Sequence, residues 1–468
     1  MLQPETFYLT ARELGRKLRD GEFTSEELTR GYIDRLRTIG ARLNAVATIT
    51  EERALEEARA ADRELRRRRT RGPLHGVPYG VKDLLATRGY PTTWGAEPYR
   101  EQQFDTDATV VRRLHDAGAV LVAKLAMVEL AGGMGYDEAD AAFTGPGLTP
   151  WNTEYWSGGS SSGPGSAVAA GLVGFAIGSE TSGSILTPSA FCGVTGLRPT
   201  YGLVSRYGAM ALCWTLDKLG PMCRSADDCG LVLAAIAGED RDDPTSLHDG
   251  FRWERLPRAP RKLRVAVPKG CVEKVQPAVR ENFEASLAAL GDRVSVERDV
   301  EWPDFPWGPA VGTIVNAEGA AAFLPLLETG GVEKLRCPAD RTGGYSGLFT
   351  FAVDYIQALR VRAPMKRAVG ALFEKYDVVA SPTRSSIAYP TGKKFRDAYP
   401  DLRSGPPLIP AGNLCGLPAV CLPNGFGDAG LPTSTAFLGP ALSEKTLLDL
   451  ASAYQKETDW HRQRPPVG

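Results

Sequence analysis

Histidine, paired cysteines and long apolar runs are what this sequence lacks. Only four histidines occur among 468 residues, and none of the eight cysteines forms a Cys-x-x-Cys pair. Because zinc sites depend on closely spaced Cys and His ligands, this pattern argues against a metal site, and we expect no cofactor. A chain of this length needs no disulfides to stabilise its core, so reduced thiols in a cytoplasm are the simplest interpretation.

Membrane and nucleic-acid partners are disfavoured by the same kind of argument. The longest apolar stretch covers about residues 167–177 and is interrupted by two glycines, so it is too short to cross a bilayer. The first residues contain no basic-then-apolar signal. The formal net charge is −1, and the one basic cluster, at 66–71, follows a helical pattern and is better interpreted as a solvated helix end. We therefore expect a cytoplasmic monomer or homodimer without a nucleic-acid or membrane partner.

The hydrophobic pattern indicates an α/β protein. Residues 1–70 are predicted to be mainly helical, with capping boxes beginning at Thr10 and Thr24. Short apolar runs separated by helical patterns follow, and runs of this length are typical of a sheet that is buried on both faces. Residues 240–375 carry fewer motifs, and we expect them to cover the substrate side.

Three short segments carry candidate chemistry, and they occur in a fixed order. Lys82 comes first, followed by the glycine-serine cluster 158–163 and then by the cluster 181–184. Glycines allow backbone N–H groups to converge on one point, where they stabilise an oxyanion. A hydroxyl at that point with a base in reach is a nucleophile. Two glycine-rich turns and one surface lysine are the alternative interpretation, but all three segments together favour an active site.

The motifs around these segments resemble those of the amidase signature enzymes. The similar stretches follow the family's order along nearly the whole chain: 74–83, 150–163, 178–185, 196–200, 216–221, 413–419 and 430–432. The resemblance implies one domain spanning residues 1–468. It also implies a large twisted mixed β-sheet that is flanked by helices on both faces.

The resemblance also implies a Ser-Ser-Lys triad. Ser184 would be the nucleophile, Ser160 the bridging serine after a cis Gly159–Ser160 peptide, and Lys82 the base. The backbone N–H groups of the same loop would form the oxyanion hole, namely those of Thr181, Ser182, Gly183 and Ser184. Ser161 and Ser162 adjoin the bridging serine, so an assignment shifted by one residue remains an alternative.

The lysine can act as a base only if its amine is uncharged. Its reference pKa of ~10.4 keeps the side chain protonated at neutral pH, whereas burial lowers a lysine pKa by up to ~3–5. We therefore expect Lys82 to be buried. Other polar side chains near the motifs are interpreted as structural rather than catalytic: Asp83, His75, His115 and Cys192.

The nucleophile loop departs from the family pattern at three positions. Glu180 replaces an aspartate, Ser182 a glycine and Leu186 an arginine, while Ser162 and Pro164 interrupt the glycines after the serine pair. Because a buried unpaired carboxylate is costly, we expect Glu180 to find another donor or to be partly exposed. These departures predict an outlying subgroup with altered pocket chemistry.

The substrate is the least determined feature. The resemblance places Met134, Gly135 and Tyr136 at the acyl-side pocket. Trp214, Phe349 and Phe351 are further candidates, but core packing is the favoured interpretation of each. The expected activity is hydrolysis of a small hydrophobic or aryl amide, and carbamates (urethanes) and esters are variants. Two other functions stay open: the glutaminase-type A subunit of a tRNA-dependent amidotransferase, and an inactive binding protein.

Overall fold

A computed structural model describes residues 2–254, 262–402 and 408–467. Its centre is a mixed sheet of eleven strands in these residues, in the order β1-β3-β2-β4-β6-β5-β10-β11-β9-β7-β8. The strands are β1 (Val46–Ile49), β2 (Pro78–Lys82), β3 (Val120–Leu125), β4 (Phe175–Glu180), β5 (Thr195–Arg198), β6 (Lys218–Cys223), β7 (Leu263–Pro268), β8 (Val294–Val300), β9 (Val378–Pro382), β10 (Ala419–Phe426) and β11 (Pro432–Leu438).

Parallel and antiparallel pairs are segregated within the sheet. β2 lies parallel to both β3 and β4, and β7 lies parallel to both β8 and β9. The strands between these groups pair antiparallel, from β4 through β6, β5, β10 and β11 to β9. The central strands β2, β4, β5 and β6 are buried along their whole length, as expected for a sheet covered on both faces.

Fifteen α-helices surround this sheet in the described residues. They are α1 (Ala11–Asp20), α2 (Ser25–Arg35), α3 (Glu51–Arg66), α4 (Thr109–Asp116), α5 (Ser162–Ala169), α6 (Leu186–Cys192), α7 (Ala226–Ile236), α8 (Pro277–Leu290), α9 (Trp307–Ala322), α10 (Leu324–Glu328), α11 (Pro338–Leu348), α12 (Ala352–Lys375), α13 (Phe395–Ala398), α14 (Leu408–Cys415) and α15 (Glu444–Glu457).

Two groups of helices cover the centre of the sheet. α5 and α6 pack on each other and on β4, β5, β10 and β11, while α7, α8 and α15 form the second group on β5, β6, β10 and β11. The predicted α/β fold with helices on both faces is therefore confirmed. No helix among the described residues combines the length and the apolar composition that a membrane crossing requires.

The N-terminal segment follows its capping signals. In both predicted capping boxes the threonine side chain accepts from the N3 backbone, and the N3 glutamate accepts from the cap backbone, at Thr10/Glu13 and Thr24/Glu27. The helical prediction for residues 1–70 overlooked β1, which pairs with β3 at the edge of the sheet. Four half-buried residues are too few to give a clear strand pattern.

The region at 240–375 is only partly a cover. β7 and β8 lie in it, and both belong to the main sheet. Its helical part, α9 to α12, packs together with α14 outside the sheet. Phe349 and Phe351 lie on the surface of this helical part and are 79% and 72% exposed, so core packing is wrong for both.

Close contact between strands makes Gly220 a sensitive position. A Cβ at this residue of β6 would lie 2.2 Å from the carbonyl oxygen of Leu197 on β5. We expect Gly220→Ala to lower the free energy of unfolding by about 1–3 kcal/mol, the usual cost of overpacking. Denaturant unfolding measures the change.

Gly370, on the exposed side of α12, is the matched control, because an added Cβ would meet no atom within 4 Å. Gly370→Ala should stabilise the protein by about 0.5–1 kcal/mol through the helix propensity of alanine. If both variants have the same stability, the close strand contact does not constrain Gly220.

Candidate active site

Lys82 is the last residue of β2, and its side chain is completely buried. Its Nζ lies 2.7 Å from Ser160 Oγ and 2.9 Å from Ser179 Oγ. Ser179 reaches this point because β4 runs parallel to β2, and Ser160 lies just before α5. The fold thus brings the predicted lysine and the predicted bridging serine into hydrogen-bond distance.

Burial sets the protonation of this lysine. It lowers the pKa of Lys82 to about 7, although the nearby charges of Asp217 and Glu180 act in the opposite direction. Since the charged form is disfavoured without solvent, a large fraction of the amine is neutral at pH 7. A neutral amine can accept a proton from the Ser160 hydroxyl.

Ser184 lies in the turn between β4 and α6, beside the glycine-serine cluster. The Ser161 N–H donates to the carbonyl oxygen of Ser184 at 3.3 Å. Ser161 Oγ donates to the carbonyl oxygen of Ser179 at 3.2 Å. The Gly159–Ser160 peptide is cis. These contacts tie the loop of Ser160 to the turn of Ser184, whereas the Ser161 side chain is used to hold the two loops together.

The backbone around Ser184 is arranged as a candidate oxyanion hole. Gly183 has a φ of 94°, a conformation that favours glycine. Among the described residues, the backbone N–H groups of Ser182, Gly183 and Ser184 have no acceptor. The loop is anchored by Thr181, whose hydroxyl donates to Asp217 at 2.6 Å. Unpaired N–H groups on a fixed loop are what a developing oxyanion requires.

Glu180 has several donors despite the absence of an arginine at position 186. Arg198 Nη1 donates to its carboxylate at 2.9 Å, Asn413 Nδ2 at 3.0 Å, and the backbone N–H groups of Ile185 and Leu186 at 2.9 and 3.0 Å. Burial alone would raise the pKa of Glu180, but the charge of Arg198 and these hydrogen bonds outweigh it and hold the pKa below its ordinary value. The expectation of another donor is confirmed.

The side chains interpreted as structural have structural partners. Asp83 points away from Lys82, and its carboxylate lies 2.7 Å from the Nζ of the buried Lys124. Burial lowers the pKa of His75, and Arg71 N–H donates to its ring. His115 pairs with Glu57 at the surface. Burial raises the pKa of Cys192 far above that of a reactive thiol.

The residues proposed for the acyl pocket are placed in different surroundings. Tyr136 packs edge-on against Trp156 and Phe395, and its hydroxyl lies against Gly159, next to Ser160. Gly135 is exposed. Met134 is 1% exposed and packs against Gly344 of α11, and it does not line the cavities at Ser179 and Thr181 or at Ser182 and Leu186. Tyr136 is therefore the one of the three that touches the serine loop.

Trp214 lies at a cavity of about 190 Å³ that also reaches Ser179, Thr181 and Asp217. Its side chain is 43% exposed, so the favoured interpretation of core packing is wrong. Burial raises the pKa of Asp217, even though it accepts hydrogen bonds from Thr181 and from the N–H groups of Leu212 and Cys213.

Sequence reasoning missed two side chains that support the site. Ser179 had a local signal, because it directly precedes Glu180 in the nucleophile motif. Arg198 was part of a recognised motif but carried no assigned role. Arg198 reaches Glu180 because β5 and β4 lie on either side of β6 in the sheet. No local sequence pattern predicts this contact.

Comparison with known proteins assigns the family. The sequence profile described as Amidase matches residues 27–448, so the chain belongs to the amidase family and is an amidase-class enzyme. It is 39% identical over 99% of both chains to a protein of Moorella thermoacetica that is named as the A subunit of glutamyl-tRNA(Gln) amidotransferase.

Solved structures agree with this assignment. The native peptide amidase from Stenotrophomonas maltophilia superposes with a TM-score of 0.82 at 31% identity, covering 98% of both chains. The A subunit of glutamyl-tRNA(Gln) amidotransferase from Thermotoga maritima superposes with a TM-score of 0.80 at 26% identity, covering 99% of this chain and 98% of that one.

These comparisons overturn the expected activity and partners. A stand-alone hydrolase of small amides or carbamates, monomeric or homodimeric and without nucleic acid, is contradicted by full-length relatives at 34–39% identity that are named as one subunit of an enzyme for glutamyl-tRNA(Gln). Leu186 and the net charge of −1 were the misleading signals. Arg198 supplies a cation to Glu180 although position 186 lacks one, and the net charge of a chain does not exclude partners.

The buried pair of Arg198 and Glu180 gives a stability prediction. Both side chains are completely buried, so Arg198→Met leaves a carboxylate without its cation. We expect the free energy of unfolding to fall by about 3–5 kcal/mol, with partial recovery when Glu180→Gln is added. Urea unfolding measures both variants.

The exposed pair Arg298–Glu284 is the control. Arg298→Met should change the free energy of unfolding by less than about 1 kcal/mol. If Arg198→Met lowers the free energy of unfolding no more than Arg298→Met does, Glu180 does not need its buried partner.

Proposed function

We propose that this chain is the glutamine-hydrolysing A subunit of a glutamyl-tRNA(Gln) amidotransferase. In this role it releases ammonia from a side-chain carboxamide, and a partner subunit uses the ammonia to amidate glutamate attached to tRNA. The observation that carries the proposal is similarity at 39% identity over 99% of both chains to a protein of that name. The Lys82–Ser160 contact and the unpaired N–H groups beside Ser184 support it.

The proposed attack on the carboxamide uses the three side chains as a proton relay. Neutral Lys82 accepts a proton from Ser160, Ser160 accepts one from Ser184, and Ser184 Oγ bonds to the carboxamide carbon. The carbonyl oxygen becomes an oxyanion that the N–H groups of residues 181–184 stabilise. One such donor typically contributes ~2.7–4 kcal/mol to lowering the barrier.

Proton return completes the cycle. The carbon–nitrogen bond breaks as the lysine returns its proton through Ser160 to the leaving nitrogen, so ammonia departs and an acyl-serine ester remains. Water then attacks the ester by the same relay. The products are one carboxylic acid and one ammonia, and Ser184 is regenerated.

An apolar surface supports a partner protein in the assembly. Five large apolar side chains on the helical cover, within residues 348–356, are roughly half to four-fifths exposed: Leu348, Phe349, Phe351, Val353 and Ile356. Extended exposed apolar patches are typical of protein–protein interaction sites. A chain that works in an assembly would bind a partner protein through such a surface.

Reconstitution tests the proposal. The chain is combined with the remaining subunits of a glutamyl-tRNA(Gln) amidotransferase and assayed for glutamine-dependent formation of glutaminyl-tRNA. Ser184→Ala should reduce this activity by at least about a thousandfold while leaving the reaction with added ammonium intact, because only ammonia release needs the nucleophile. Ser346→Ala, an exposed serine on α11, is the matched control.

Two outcomes would contradict the proposal. One is an assembly that forms no glutaminyl-tRNA with either nitrogen donor. The other is glutamine-dependent activity that survives Ser184→Ala. A fluorophosphonate probe followed by mass spectrometry identifies the modified serine independently of the substrate.

The acid limb of the pH profile tests the base. Because the pKa of Lys82 is about 7, the amine is protonated below that pH and cannot accept a proton. We expect kcat/KM for glutamine to be constant on the alkaline side and to fall roughly tenfold per pH unit well below the pKa. Circular dichroism at each pH excludes unfolding as the cause, and a profile that is flat down to about pH 5 counts against Lys82.

A further inference from the structure

A dense group of arginines lies on the surface at the end of α3. Residues 63–71, the arginine segment, contain six arginines and one glutamate, a net charge of +5 in a chain whose total is −1. All six arginines are exposed. Like charges at such density repel one another unless an anion compensates them, so the segment is suited to binding an anionic partner.

Five of the six arginines have no counterion within the protein. Arg71 pairs with Glu64, the one acidic residue of the segment. Every aspartate and glutamate of the chain belongs to the described residues. Among those residues, no side-chain hydrogen bond or ion pair occurs at the other five arginines: Arg63, Arg66, Arg67, Arg68 and Arg69.

The helix dipole accounts for only part of the segment. Cations near the C-terminus of a helix compensate its partial negative charge, but this effect is confined to the last turn. Arg63 and Arg66 lie in the last turn of α3, whereas Arg67 is the C-cap and the next two arginines follow the helix. The interpretation of the cluster as a solvated helix end therefore does not explain the arginines at positions 67–69.

The arginines lie on an ordered turn. The N–H of Arg69 donates to the carbonyl oxygen of Glu64 at 3.0 Å, and that of Arg68 donates to Leu65 at 2.8 Å. These are the two hydrogen bonds of a Schellman motif. Arg68 adopts the left-handed conformation of the motif, with a φ of 56°. The turn thus presents exposed guanidinium groups on a fixed backbone, which lowers the entropy cost of binding a partner.

A further exposed arginine lies beside the segment. Arg19 is close to the C-terminus of α1. A Cβ at Gly15 would lie 1.9 Å from the carbonyl oxygen of Pro73 and 3.3 Å from Nη1 of Arg19, so this guanidinium is close to the chain that leaves the segment. Asp20, the next residue, pairs with Arg16. The basic surface therefore includes the ends of two helices.

Phosphate groups are the ligands that this surface fits best. The planar guanidinium of arginine binds phosphate oxygens through two parallel hydrogen bonds and keeps its charge at any physiological pH. Residues 63–71 contain no aromatic side chain on which a base could stack. Contacts to a sugar-phosphate backbone need no such side chain, and they position a nucleic acid without reading its sequence.

A lipid surface fits less well than a nucleic acid. Basic segments that bind membranes usually combine their charges with apolar side chains that enter the bilayer. Leu65 is the only large apolar residue of the arginine segment, and it is partly buried against the hydrophobic core. The segment therefore offers charge without an apolar anchor.

We infer that the arginine segment and Arg19 form a docking surface for the phosphate backbone of RNA, and that tRNA is the RNA bound in the assembly. The inference rests on the proposed function, which supplies tRNA as the carrier of the glutamate. Because the contacts are made to phosphates, this surface adds affinity and orientation and leaves the choice among tRNAs to other contacts.

Fluorescence anisotropy of a labelled tRNA(Gln) transcript with the full-length chain tests the surface directly. The segment variant combines Arg66→Gln, Arg67→Gln and Arg69→Gln and keeps Arg68 at its left-handed position. We expect it to bind at least roughly tenfold more weakly at low salt, with a slope of log affinity against log salt that is smaller by about 2–3. An unrelated tRNA should bind the unmodified chain within about twofold of the same affinity.

A second triple variant controls for net charge. Arg42→Gln, Arg241→Gln and Arg367→Gln remove three charges from exposed arginines in other parts of the chain. This control should bind tRNA nearly as tightly as the unmodified chain, and circular dichroism should show that both variants are folded.

Four results would overturn the RNA surface. They are no binding of tRNA to the unmodified chain, unchanged binding to the segment variant, equal weakening in both triple variants, and binding to vesicles of phosphatidylglycerol and phosphatidylcholine in place of tRNA. The last result would assign the arginines to a lipid surface.

The reconstituted assembly separates this inference from the proposed function. With ammonium as the nitrogen donor, the segment variant should raise KM for glutamyl-tRNA about tenfold and leave kcat unchanged. Glutamine hydrolysis without tRNA should not change, because the segment lies outside the candidate active site.

The two failures give different results. If glutaminyl-tRNA forms and the segment variant leaves KM for glutamyl-tRNA unchanged, the docking surface is overturned and the proposed function stands. If glutaminyl-tRNA forms with neither nitrogen donor, but tRNA binding to the chain is lost in the segment variant alone, the proposed function fails and the RNA surface stands.

Discussion

The rest of the site depends on the burial of the Lys82 amine. A lysine without solvent and without an adjacent carboxylate loses its charge near neutral pH, because the desolvation cost falls on the ammonium form alone. The sheet produces this state by placing the end of β2 between two parallel neighbours. Ser160 and Ser179 then provide polar contacts within 2.9 Å without the full negative charge that would keep the lysine protonated.

Lys124 shows what the same burial does when an acid is present. It is as deeply buried as Lys82, but its Nζ contacts the carboxylate of Asp83. Asp83 follows Lys82 directly, and neighbouring strand residues point to opposite sides. One position thus carries an amine available for proton transfer, and the next anchors a buried ion pair. A carboxylate next to the Lys82 amine would favour its charged form and so remove the proposed base.

The departures in the nucleophile loop are compensated from distant parts of the chain. Arg198 and Asn413 hold the charge of Glu180, and Thr181 is held by Asp217. The loss of an arginine from the local motif therefore relocates a positive charge and does not abolish it.

The sequence by itself determined the features that depend on residues only a few positions apart. Glycines and serines at fixed spacing indicated the site around Ser184, and the threonine–glutamate pairs placed the starts of α1 and α2, because capping and N–H convergence involve residues only a few positions apart. Tertiary structure alone decided the partner of Glu180, which is 233 residues away at Asn413. It also decided the burial of Met134 and the exposure of Phe349. These features depend on contacts between segments that meet only when the sheet forms. A local sequence pattern therefore does not predict them.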